Sequence, residues 1–365
     1  MGADVLDDRA LNRATLARQL LLARSDMGVL DTVHHLVGVQ AQVPHNPYLA
    51  LWSRLDGFDP LALSQLLEDR RVVRIVVMRG TLHLVTAEDA LVLRALSQPV
   101  LDQEMARHAE FAASLRGLDL GPAMAFARPL LEEQPRTGAE LRAAMAERFP
   151  DLDAGALAFA CRNVLGLVQV PPRGLWRRGG VVRSTTVDAW LGRPLDPAPS
   201  IDDVVLRYFA AFGPATVADV ATWSRLTALR EVVERLGSGL RPFRDARGRE
   251  LFDVPDGPRP DPETPAPVRF LPEYDNVLLS HADRSRFVSD EDRKALAAGQ
   301  RSAKGSVLHD GRVCATWRMD GPTLVVDHLP GLGRAAARAI EAEGQRALAF
   351  LEPELASPSV QISPR

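Results

Sequence analysis

A unit of helices followed by a β-hairpin occurs three times in the first 256 residues, and this recurrence restricts the fold more than any other feature of the chain. In the first copy, 61–70 is an amphipathic helix. The β-branched run Val72-Val-Arg-Ile-Val-Val77 follows, Arg79-Gly80 makes a turn, and Thr81-Leu-His-Leu-Val85 alternates as the return strand. In the second, Thr137-Gly-Ala-Glu140 has the form of a capping box and opens a helix to Arg148. A further helix covers 156–168, and 169–183 reads as strand, basic turn, strand. In the third, helices over 202–212, 217–221 and 226–236 precede a hairpin over 240–254.

Helices followed by a hairpin form the winged-helix arrangement, which sets a helix in a DNA groove and wings against the backbone. The expected wing tips carry Arg79, Arg173, Arg177, Arg178, Arg244, Arg247 and Arg249. Clustered there, they would make a local basic face although the formal net charge is −3. The bland alternative is that arginines populate any exposed turn. Beyond the proline-rich connector 255–267, turn signals at Asp310-Gly311 and Asp320-Gly321 predict a three-stranded meander over 306–326. A last helix, 333–351, packs on it, and a loose tail follows Pro353. The predicted fold class is α+β, mostly helical, with three tandem winged-helix motifs. The expected regions are 1–115, 116–195, 196–256 and 268–352, with the tail over 353–365.

Composition narrows the functions. Hydrophobic content of 46% and charged content of 25% are ordinary for a soluble globular protein. No leader peptide or membrane-length apolar run is read, so a cytoplasmic location is expected. Cys161 and Cys314 form no metal or redox spacing. His34 and His35 are adjacent and would point apart on a helix. No zinc, phosphate-loop or nucleophile-elbow motif occurs, so neither metal nor cofactor is expected. Only Lys294 and Lys304 are lysines; every other basic residue is arginine. That choice suits bidentate contact with phosphate and guanine, and it also follows from a GC-rich genome.

Gln40-Ala41-Gln42 stands apart. Val33, Leu36, Val37 and Gln40 fall on one helical face, which predicts a helix ending near Gln40. Pro44 then extends the chain, so Gln40 and Gln42 would project to one side. Two convergent amides can hold a water or a base edge; a polar helix end at the surface is the bland reading.

The chain resembles the bacterial winged-helix DNA glycosylases that unhook interstrand crosslinks and excise bulky alkylated bases. The matching stretches are 11–22, Gly38-Val-Gln-Ala-Gln42, Tyr48-Leu-Ala-Leu-Trp-Ser-Arg54, Met78-Arg-Gly-Thr-Leu-His83, Phe270-Leu-Pro-Glu-Tyr-Asp-Asn-Val-Leu-Leu279 and 310–318. The resemblance implies a concave basic surface formed by the three motifs, with Gln40 and Gln42 as the catalytic pair. The family motif is Gln, an apolar residue and Gln in one branch, and Gln-x-Asp in another; Ala41 is the smallest filling of the apolar slot. The expected DNA contacts are Arg79, Thr81, His83, Arg177, Arg178, Arg247, Arg301, Lys304 and Arg312; the resemblance implies a C-terminal hairpin on the DNA, for which the candidate lies between Arg301 and Trp317. The expected activity is monofunctional hydrolysis of the N-glycosidic bond of bulky N7-alkylated purines in double-stranded DNA, crosslinks included, giving resistance to an alkylating agent. No lysine lies near the motif, so no lyase step is expected. The expected protein is a monomer. A winged-helix regulator and a protein that sequesters adducts are the rivals.

Overall fold

The computed structural model describes residues 4–298, 302–355 and 357–365. The first two predicted hairpins do not stay separate. They join in one five-stranded antiparallel sheet with the order Val39–Gln40, Leu82–Thr86, Val72–Val76, Leu167–Gln169, Ser184–Thr186. The seam between the two units is the pairing of Arg74 with Gln169 and Ile75 with Val168. The expected border at 115/116 therefore separates no sheet. All five residues of Val72–Val76 are buried, as a β-branched run covered on both faces should be.

Local rules account for most helices. Thr137 Oγ1 accepts from the Glu140 N–H at 3.1 Å, and Glu140 Oε2 accepts from the Thr137 N–H at 2.7 Å, completing the expected capping box of Gly138–Arg148. The second helix of that unit is Ala154–Val164, shorter than expected, because Gly166 takes φ 62° and the chain turns into a strand. The third unit has Ile201–Phe212, Val217–Ser224 and Leu229–Leu236, then the hairpin Arg241–Asp245 with Glu250–Asp253. Tyr208, Phe209, Phe212 and Trp223 are almost fully buried there, with the Tyr208 and Trp223 rings 5.1 Å apart. Burial of this kind contributes about 1.5–3 kcal/mol per large side chain.

The C-terminal sheet is larger than the predicted meander. It has five strands in the order Ser359–Pro364, Thr323–His328, Arg312–Asp320, Gly305–His309, Arg269–Leu271. The tail expected to be loose is a six-residue strand, parallel to Thr323–His328. It forms because Val360 and Ile362 alternate with polar residues and cover that sheet's core. Arg365 then donates to the Ala295 and Ala298 carbonyls at 2.9 and 2.6 Å, at the C-terminal end of the helix Asp290–Ala297. The N-terminal helix Asp8–Arg18 ties the units together. Arg18 pairs with Asp253 of the third hairpin at 2.8 Å, and Asn12 Nδ2 donates to the Arg286 and Gly311 carbonyls at 2.8 Å.

Candidate functional site

The helix before Gln40 is Val29–His35, five residues shorter than expected. The Gly38 N–H donates to the Val33 carbonyl at 2.9 Å and the Val37 N–H to the His34 carbonyl at 3.0 Å, a Schellman stop. Val37 takes φ 53°, which is unusual for a β-branched residue, and Gly38 takes φ 89°. A Cβ on Gly38 would lie 2.6 Å from Val85 Cγ1. Gln40 thus lies on an edge strand, paired with His83, and not on a helix.

Gln40 is buried but not among apolar groups. Its Oε1 accepts from Arg79 Nη2 at 2.8 Å. The same nitrogen donates to Asn276 Oδ1 at 3.0 Å and reaches His83 Nε2 at 3.3 Å, while Nη1 donates to the Trp223 carbonyl at 3.0 Å. His83 is fully buried, and burial followed by the nearby Arg79 charge pushes its pKa down to about 3. Its Nδ1 donates to the Thr81 carbonyl at 2.9 Å, leaving Nε2 as an acceptor facing Arg79. Asn276 Nδ2 donates to the Gly38 carbonyl at 3.1 Å. The next peptide is held as well: Arg74 Nη2 donates to the Ala41 carbonyl at 3.0 Å. Gln42 is exposed, and its Oε1 accepts only a long bond from the Leu82 N–H, 3.4 Å. Neither glutamine Nε2 has a hydrogen bond among the described residues.

The expected DNA contacts take different places in the structure. Arg79 and His83, expected on DNA, are turned inward. Arg79 and Gly80 take φ of 59° and 69°, so the turn folds the arginine back onto the sheet. His83 points into the sheet opposite Gln40 and has no exposed surface. Thr81 remains half-exposed beside Gln42 and lines the same hollow of about 520 Å³. The other expected contacts lie apart from the pair. Arg177 is exposed and ion-paired with Glu352 at 2.8 Å. Arg178 is exposed and has no ion pair among the described residues, beside the aromatic cluster of Tyr48, Trp176 and Phe350. Arg247 pairs with Asp283, Lys304 pairs with Asp327 at 2.7 Å, and Arg312 donates to the Ser285 carbonyl at 3.0 Å. Arg301 lies outside the described residues.

Sequence reading missed Arg74, Asn276, Arg225 and Arg284. Arg74 carried a signal: one arginine inside a run of five valines and isoleucines. The Arg225 and Arg284 guanidinium groups have no hydrogen bond or ion pair among the described residues, and both lie near enough to Arg79 to depress its pKa, after burial, to about 10. Arg79 and Arg74 are still cations at neutral pH, and neither pairs with a described carboxylate. Other buried arginines do: Arg54 is bidentate on Asp275 at 2.8 and 2.9 Å, and Arg13 and Arg18 hold Asp310 and Asp253. No cluster of metal-ligating residues occurs among the described residues. Among the described residues no helix is long and apolar enough to cross a membrane.

Stretches far apart in sequence meet here. Residues 38–42, 48–54, 78–83 and 270–279 are joined by the Arg79, Asn276 and Arg54 bonds already given, and Ser53 Oγ donates to the Phe270 carbonyl at 2.5 Å. The family model described as DNA glycosylase AlkZ-like matches residues 33–350. A curated relative, the "Interstrand DNA cross-link repair glycosylase" of Streptomyces sahachiroi, is 26% identical over 354 residues, covering 90% of this chain and 92% of that protein. The solved structure of the Streptomyces sahachiroi DNA glycosylase AlkZ superposes with a TM-score of 0.81 at 22% identity, covering 98% of this chain and all of that one. The fold is that winged-helix fold.

Proposed function

The chain belongs to the AlkZ-like DNA glycosylase family, and from that premise we propose that it hydrolyses the N-glycosidic bond of bulky N7-alkylated purines in duplex DNA. Crosslinked purines are included, so the protein would confer resistance to an agent that makes them. Support comes from the relative named for crosslink repair and from the chemistry the site can perform.

An ordinary glycosidase needs a carboxylic acid for the leaving group and a carboxylate opposite it. Gln40 and Gln42 supply neither. A purine alkylated at N7 is already cationic, however, and departs as a neutral base without an acid. What remains is to place a water behind C1′ and to support an oxocarbenium-like sugar. Correct placement alone is worth several kcal/mol, within the ~7–11 kcal/mol ceiling for oriented reactants.

The observation that carries the reading is the Arg79–Gln40 bond. Arginine only donates, so it holds the Gln40 oxygen inward and leaves the –NH₂ free as a donor. Gln40 then donates to the sugar or the base, and Gln42, loosely held, accepts from the water. The two roles separate under substitution. Gln40→Glu keeps a partner for Arg79 but removes the donor, and should lower the single-turnover rate by ~10²–10³, the usual cost of losing one donor to developing charge. Gln42→Glu keeps an acceptor and should stay within about tenfold of the native rate. The measurement is release of heat- or alkali-labile sites from duplex containing N7-alkylguanine. Equal losses in both variants would end the division of roles, and intact strands with the native protein would end the proposal. Strand breakage without heat or alkali would reveal a lyase step, which no lysine near the pair supports: Lys304 is held by Asp327.

A further inference from the structure

The hollow of about 520 Å³ beside Gln42 lies within the size range of ligand sites, about 300–1,000 Å³. Val76, Leu82, Leu131 and Leu141 supply apolar lining. Four arginines, Arg74, Arg136, Arg162 and Arg173, line it as well, beside neutral polar groups such as Thr81 and Gln169. Among the described residues only Arg162 has a carboxylate: its Nη2 donates to Glu104 Oε1 at 2.7 Å. The other three donate to neutral carbonyls, each at 3.0 Å: Arg74 to Ala41, Arg136 to Leu130 and Arg173 to Gly180.

Arg74 is the telling member. It is 2% exposed, and its Nε and Nη1 have no acceptor among the described residues. Gly174 packs so closely that a Cβ there would lie 3.1 Å from Nη1. Burial and then Arg173 depress its pKa, so the two cations feel each other with no described anion between them. Like charges gathered around a buried guanidinium repel, and an anion placed among them converts that repulsion into attraction. A cationic alkylated base would be repelled by the same wall. Charge therefore sorts the two ends of a damaged nucleotide: phosphate towards the arginines, base away from them.

We propose that this hollow seats a DNA phosphodiester flanking the damaged nucleotide, held by Arg136 and Arg173 over the buried charge of Arg74. The backbone then enters the protein at Gln42, and the sugar it carries is presented to the amide pair. This rests on Gln40 and Gln42 being the catalytic pair.

The test is binding of the full chain to a duplex carrying one tetrahydrofuran abasic analogue, with a single methylphosphonate walked through the flanking positions. Affinity is read by fluorescence anisotropy. The native protein should lose about tenfold at one flanking position, in line with hydrogen bonds to a charged group. An Arg136→Ala/Arg173→Ala double variant should bind the all-phosphate duplex about tenfold more weakly. It should no longer respond to the methylphosphonate at that position, and its salt slope should fall by about 1. Both side chains are partly exposed, so thermal melting can verify that the variant is folded. A folded variant that binds like the native protein, or that still loses affinity at that position, overturns the seat. Nothing is cleaved in this assay, so the two readings fail separately. Position-specific binding by a protein that leaves alkylated DNA intact would defeat the glycosylase reading alone. Cleavage without a position-specific effect would defeat the seat alone.

Discussion

The group that sets Gln40 is Arg79, and its usefulness depends on His83 staying neutral. A protonated imidazole would face the guanidinium with a second positive charge. Burial prevents this by holding the His83 pKa near 3, and the Arg79 pKa stays near 10. Nothing in that cage changes charge between those values, so the single-turnover rate should be flat from about pH 5.5 to pH 9. A bell-shaped profile within that interval would point to a titrating group outside the cage. Stability behaves differently. The folded pKa of His83 lies below the unfolded value of about 6.5, so the unfolded chain binds more protons between the two. Burial lowers the His281 pKa as well. Both contributions are complete above about pH 6.5 and are lost as pH falls towards 3, which urea titrations at stepped pH would register as a falling midpoint. The sequence contained this cage only in part. The motif stretches placed Gln40, Arg79, His83 and Asn276 on the page, but nothing in their spacing says that a wing-tip arginine folds back. That outcome depends on a positive φ at Arg79, which the Arg79-Gly80 pair allows without requiring.

At the scale of elements, the largest discrepancy is the end of the helix Val29–His35. The 3.6-residue pattern of Val33, Leu36, Val37 and Gln40 continues past the true stop, and a buried strand edge satisfies the same apolar pattern. Gly38 was the available signal. A Gly38→Ala variant must accept φ 89° and a contact of 2.6 Å with a branched side chain in the central sheet. It should lose about 2–4 kcal/mol of stability by denaturant titration, from backbone strain and overpacking together. The glycosylase rate should fall further than stability explains, because the Asn276 bond to the Gly38 carbonyl moves with it. A neutral effect on both would mean that the turn is less constrained than its geometry implies. The capping box at Thr137 was legible because its signature is local. The pairing of Arg74 with Gln169 was not, because no local rule joins two hairpins almost a hundred residues apart.

Over the whole molecule, the two ends of the chain act as fasteners. The helix Asp8–Arg18 joins the third hairpin to the C-terminal sheet, and the strand Ser359–Pro364 closes that sheet's open edge. Deleting 357–365 would uncover the edge at Leu324 and Val326 and release the bonds of Arg365. The melting temperature should drop by about 5 °C or more, with increased aggregation, as exposed edges invite new pairing. An unchanged melt would show that the strand is an ornament of the sheet. The alternation of Val360 and Ile362 was visible in the sequence, but it is only two residues deep, and a proline-flanked terminus hid it. Charge shows the same contrast between total and place. The formal sum is −3, yet Asp253, Asp275 and Asp310 are taken up elsewhere by Arg18, Arg54 and Arg13, and among the described residues only Glu104 joins the four arginines that line the hollow beside Gln42. Isoelectric point therefore says little about where a polyanion settles on this protein: the vacancy for it is made by where the acids are missing.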